Sequence, residues 1–104
     1  MVLVEISTEG TLYVLQNARL VRCDYRFSTE RTLQLTTRSE SNLYDLSNPS
    51  TISFVHEVPC VYNNKVQIQF QNQQPLELVF LTFAHKERFL VCLDFVRALS
   101  AEEM

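Results

Sequence analysis

The 104-residue sequence has no tryptophan, one glycine, three prolines and three cysteines, and each shortage excludes a class of protein. A single glycine, Gly10, cannot form a glycine-rich phosphate-cradling loop. Cys23, Cys60 and Cys92 are odd in number and far apart. They fit neither the paired cysteines of a disulfide scaffold nor a close-spaced zinc site, so reduced, mostly buried thiols are expected. His56 and His85 have no partner at metal-ligand spacing, and neither a metal nor a cofactor is expected. No nucleophile elbow, paired-carboxylate or HExxH spacing occurs. Cys60 or Cys92 with a distant histidine could be imagined as nucleophile and base, but Cys92 falls on the buried helix face and nothing in the sequence lowers either thiol's pKa. The expectation is a protein that is not an enzyme.

Long apolar runs are also missing. No segment approaches the ~20 apolar residues of a membrane span, and residues 1–10 lack the basic start and cleavage site of a signal peptide. Positive charge is scarce: a net charge of −3 and a pI near 5.3 offer no general attraction for nucleic acid. A soluble, cytoplasmic protein is expected, with association to cytoskeleton or membrane left open.

What is present is a folding composition, with 46% hydrophobic residues, seven Phe and four Tyr. The length suits one domain spanning residues 1–104, with strands over about 2–84 and a helix over about 86–100. Residues 2–7 read as a first strand and 8–10 as a turn at the glycine. Residues 11–25 alternate, as one long bent strand or two short ones joined near Asn17. Residues 24–31 read as an exposed loop around Phe27. A strand follows with Leu33 and Leu35 inward, then a short one at Leu43, Tyr44 and Leu46. Ile52, Phe54, His56 and Val58 mark the next by shared parity.

The clearest half-buried strand places Val66, Ile68 and Phe70 against Gln67, Gln69 and Gln71. As an edge, that glutamine row could accept another strand; a solvent-facing row inside the sheet is the simpler reading. After the turn at 72–75, residues 76–84 read as an apolar strand. The period then changes. Phe89, Cys92, Leu93, Val96 and Leu99 recur at helical spacing on one face, leaving Leu90 and Val91 outside it.

The tail KVQIQFQNQQPLELVFLTFAHKERFLVCLDFVRAL, with the earlier hairpin ARLVRCDYRFSTERTLQLTT, resembles the pleckstrin-homology-like superfamily. The resemblance implies a mainly β fold: a barrel or sandwich of about seven antiparallel strands capped by one C-terminal α-helix. That family's helix usually carries a tryptophan at the barrel mouth, a role Phe89 or Phe95 could fill here. A polo-box-like domain, an open sheet crossed by a C-terminal helix, is the structural alternative.

The resemblance implies two kinds of ligand. As a non-catalytic protein-interaction or scaffold module, free-standing or N-terminal in a longer protein, the chain offers Leu90, Val91, Tyr25, Phe27, Tyr44 and Tyr62 as contacts for a protein partner. As a phosphoinositide-binding membrane-targeting domain it would use Arg22, Arg26 and Arg31. The family's lipid motif, a lysine on the first strand and a basic-x-Arg triplet on the second, is absent, and Arg31-Thr32-Leu33 stands in the triplet's place. Interaction or dimerisation in the manner of a polo box is the third reading.

Overall fold

The computed structural model describes residues 8–102, with side chains to Leu99. The strand expected over residues 2–7 lies outside the described residues. Seven strands are seen: β1 (Glu9–Gln16), β2 (Arg19–Phe27), β3 (Thr32–Thr36), β4 (Ser41–Asp45), β5 (Ile52–Val58), β6 (Lys65–Phe70) and β7 (Leu76–Val79). They form one antiparallel sheet in the order β4-β3-β2-β1-β7-β6-β5, followed by the helix α1 (Phe83–Glu102). The sheet curls into a half-barrel. Its curl brings Tyr44 of β4 onto Phe70 of β6, rings stacked 3.7 Å apart.

Residues 11–25 resolve into two strands. Asn17 and Ala18 both take positive φ, 50° and 62°, as a two-residue hairpin loop requires for its twist to match the flanking strands. Gly10 is not in a turn. It lies within β1 opposite Tyr25, and a Cβ there would come 2.8 Å from the tyrosine oxygen. The glycine is needed for close approach of a ring rather than for backbone freedom.

The loop expected over 24–31 shrinks to residues 28–31, because β2 runs on through Phe27, which is buried. Leu33 and Leu35 face inward as their alternation implies. In β5 the register shifts between Ile52 and Phe54, and this bulge breaks the expected parity. Ile52 is buried and Val55 packs against the core, while Phe54 and His56 turn outward. The strand expected over 76–84 ends at Val79. β6 is internal, so its glutamines form a row within the sheet rather than an edge.

The helix begins at Phe83, three residues before the expected Lys86. Thr82 supplies its cap: the Thr82 hydroxyl accepts from the His85 amide at 3.2 Å and lies 2.6 Å from His85 Nδ1. Of the expected stripe, Phe89, Cys92, Leu93 and Val96 are buried, whereas Leu99, beyond the reach of the sheet, stays exposed. Phe89 is fully buried beneath the sheet, meeting the rings of Tyr25, Phe27 and Phe80 at 5.0, 5.5 and 5.2 Å.

Lys86 lies on the same stripe and is fully buried. Its Nζ donates to Glu57 Oε1 at 2.6 Å and to Asn63 Oδ1 at 3.1 Å, and stands 4.8 Å from the Phe83 ring centre. These contacts tie the first turn of α1 to the end of β5 and to the loop before β6. The spacing to Phe89 and Leu93 carries the signal for this burial in the sequence.

Candidate functional site

A groove of about 650 Å³ runs between the C-terminal half of α1 and the end of the β2–β3 hairpin. Its floor is apolar: Phe27 from β2, and Cys92, Phe95, Val96 and Leu99 from the helix. Three- and four-residue spacing sets the helical members side by side. Phe95 and Leu99 retain 50% and 37% exposure along the groove, an apolar surface left open among the described residues. The rim is polar and cationic, formed by Arg26, Arg31, Ser28, Thr29 and Gln34, with Thr8 at one end.

The wall on the hairpin side is held by its own hydrogen bonds. Ser28 Oγ lies 2.6 Å from Thr32 Oγ1 and accepts from the Glu30 amide, while the Ser28 and Arg31 amides close the turn onto Thr32 O and Ser28 O. Arg31 has a φ of 61°, the left-handed conformation that turns the chain back into β3. The Phe27 amide donates to Thr8 O at 2.6 Å, fixing the other end. Arg26 faces Glu9 at 3.9 Å, a contact between exposed groups that leaves the guanidinium at the rim.

The groove is suited to binding. Among the described residues its lining holds no carboxylate and no histidine, and burial pushes the Cys92 thiol above its ordinary pKa. Cys60 behaves differently. Its thiol is held low, chiefly by the Asn64 backbone N–H, with the Asn63 and Tyr62 amides and the Lys65 charge adding to it. Tertiary structure supplies a depression of this pKa that the sequence does not signal. All three cysteines are free, and no group of three metal-ligating side chains occurs among the described residues.

The sequence-derived contact residues divide by burial. Tyr25, Phe27 and Tyr44, expected as contacts for a partner, are strand residues packed in the core, although Phe27 still shows an edge to the groove. Burial raises the pKa of both tyrosines. Leu90 packs against the core from the helix. Only Tyr62 and Val91 stay largely exposed, and neither lines the groove. Tyr62 instead joins Val61 in the β5–β6 loop.

The three arginines divide as well. Arg26 and Arg31 share the groove, whereas Arg22 lies further back along β2, in a separate depression of about 370 Å³ with Asp24, Thr36, Thr37 and Arg38. Asp24 sits 3.9 Å from Arg22 and offsets its charge. The hairpin that carries these arginines is the second of the fold, and the loop joining β1 to β2 is only Asn17-Ala18. Phe95 and Leu99, which floor the groove, are not among the contacts expected from the sequence; Leu99 lies on the helical stripe and Phe95 beside it. Their signal was an apolar face wider than one sheet contact needs.

The sequence matches no protein-family model and no curated protein. The fold is nevertheless shared: a curled antiparallel sheet of seven strands closed by a C-terminal helix. It is similar to inner membrane complex sub-compartment protein 3 of Toxoplasma gondii, with a TM-score of 0.70 at 14% identity, over 93% of this chain and 80% of that one. It is also similar to the C-terminal domain of a protein of unknown function from Leishmania infantum, with a TM-score of 0.63 at 11% identity, over 86% of this chain and 83% of that one. At such identities the likeness establishes the architecture alone. No helix among the described residues is long and apolar enough to cross a membrane.

Proposed function

We propose that this chain is a non-catalytic protein-interaction module of pleckstrin-homology-like fold, acting as a cytoplasmic scaffold or adaptor that takes a partner segment into the groove beside α1. The observation that carries this reading is the groove itself, with uncovered Phe95 and Leu99 on an apolar floor beside Arg26 and Arg31. Its occupant is a peptide segment that alternates apolar and acidic residues. Apolar side chains gain by leaving water on the floor, and carboxylates match the guanidinium rim. The strand order and the helix packed through Phe89 support the superfamily, and three free cysteines suit a reducing compartment.

Phosphoinositide binding is the competing reading, and the separation of Arg22 from Arg26 and Arg31 weighs against a single headgroup clamp. The Toxoplasma neighbour is by name a protein of an inner membrane complex, so membranes belong in the test. Peptides selected from a random library on the wild type should be acidic and apolar. They should lose at least tenfold in affinity to Phe95→Asp and to Arg26→Glu/Arg31→Glu. Selected peptides that bind these variants unchanged would overturn the groove reading. Headgroup-selective binding to phosphoinositide vesicles, lost in Arg22→Glu/Arg26→Glu, would replace it with membrane targeting.

A further inference from the structure

The two edges of the sheet are not alike. β5 carries the Ile52/Phe54 bulge, and its Glu57 is engaged by Lys86, features that blunt an edge against pairing. β4 has neither device. Its sequence Ser41-Asn42-Leu43-Tyr44-Asp45 contains no proline, no lysine and no bulge, and among the described residues its only neighbouring strand is β3.

Which groups β4 presents follows from its register. The Leu46 amide donates to Arg31 O at 2.7 Å and the Thr37 amide to Glu40 O at 2.8 Å, closing both ends of the β3–β4 ladder. Hydrogen-bonded pairs alternate along an antiparallel ladder, so Tyr44 and Asn42 bond inward to Leu33 and Leu35. The backbone groups of Ser41, Leu43 and Asp45 therefore point away from the sheet. The Leu43 side chain is 67% exposed beside them.

We propose that β4 pairs with β4 of a second copy, antiparallel about a two-fold axis at Leu43, continuing the sheet across two chains. The occupant is argued from self-complementarity. About that axis Leu43 faces the second copy's Leu43, an apolar pair, and Ser41 faces the second copy's Asp45, so like charges never meet. The Asp45 carboxylate is already turned back to the Ser47 amide and hydroxyl at 2.9 and 2.6 Å. Asp45 O accepts from Thr51 Oγ1 at 2.6 Å, which ends the free edge there. The contact is short, so association should depend on concentration. It is independent of the groove.

Sedimentation equilibrium of the full chain tests this. The expected result is a mass that rises with concentration towards twice the 12.1 kDa of one chain. Leu43→Lys, which sets two ammonium groups against each other, should hold the mass at one chain, with the thermal midpoint unshifted at concentrations low enough for the wild type to be a single chain. A second variant keeps the test decisive if that one fails to fold. In a Cys60→Ser background, Leu43→Cys should cross-link under mild oxidant, because paired residues there stand ~5.5 Å apart. Leu20→Cys, exposed on β2, should not. A wild type that stays at the mass of one chain, or a dimer indifferent to Leu43→Lys with no Leu43→Cys cross-link, would overturn the proposal.

Discussion

The rings of Tyr44 and Phe70 stack 3.7 Å apart with 13° between their planes, although four strands separate β4 from β6 in the sheet. Such a contact exists only because the sheet curls, and it joins the two wings of the half-barrel. Phe70→Ala should therefore cost about 3–5 kcal/mol, the range for emptying a buried aromatic site. Urea unfolding measures it, and a loss under 1 kcal/mol would mean the wings are held by other contacts.

Lys86 and Glu57 should respond unequally to substitution. Lys86 is buried, and Glu57 keeps a half-exposed side chain. Glu57→Ala leaves the ammonium with Asn63 as its hydrogen-bond acceptor and should cost about 1–3 kcal/mol. Lys86→Met removes the charge and keeps the apolar stem, so it should cost less. The reverse order in denaturant midpoints would show that the ion pair is not what the first turn of α1 depends on.

Gly10→Ala should destabilise the fold by about 1–3 kcal/mol, since its Cβ would meet the Tyr25 ring at under 3 Å. Tyr25 is held edge-on by Phe89 and cannot swing away freely. Combining Gly10→Ala with Tyr25→Leu should cost less than the sum of the two, and strict additivity in a double-mutant cycle would rule out the clash.

Thiol labelling should follow burial and pKa. Cys60 is partly exposed with a lowered pKa, whereas burial pushes the Cys23 thiol up to about 11 and raises Cys92 also. Iodoacetamide at neutral pH should modify Cys60 first, and Cys23 and Cys92 only on unfolding. Peptide mapping by mass spectrometry reads the order.

Asp45 gives a pH dependence of known sign. The Ser47 hydroxyl and amide hold its carboxyl below the usual value. Its contribution is complete above the unfolded pKa and is lost as pH falls through the lowered folded one. The stability gap between wild type and Asp45→Asn should close in that window, and urea midpoints that keep a constant gap through acid pH would contradict it.

Local pattern sufficed for much of the architecture. Strict alternation at Val66, Ile68 and Phe70 and helical recurrence from Phe89 to Val96 each report one buried face, and these periods come from the backbone geometry itself. Leu33 and Leu35 are equally legible. Other features depended on distant partners. Phe27, flanked by Arg26 and Ser28, looks like a loop residue until the helix supplies Phe89 beneath it. The bulge in β5 inverts the parity that Ile52, Phe54, His56 and Val58 share in the sequence.

The candidate surface divides along the same line. Composition and spacing by themselves determined a strand-rich chain ending in an amphipathic helix, because hydrophobic periodicity is a property of neighbours in sequence. Only the tertiary structure decided that Tyr44 is core, that Arg22 stands apart from Arg26 and Arg31, and that Phe95 and Leu99 floor a groove. Those outcomes depend on how far β2 extends and how the sheet curls under α1, and both are set by packing between residues remote in the chain.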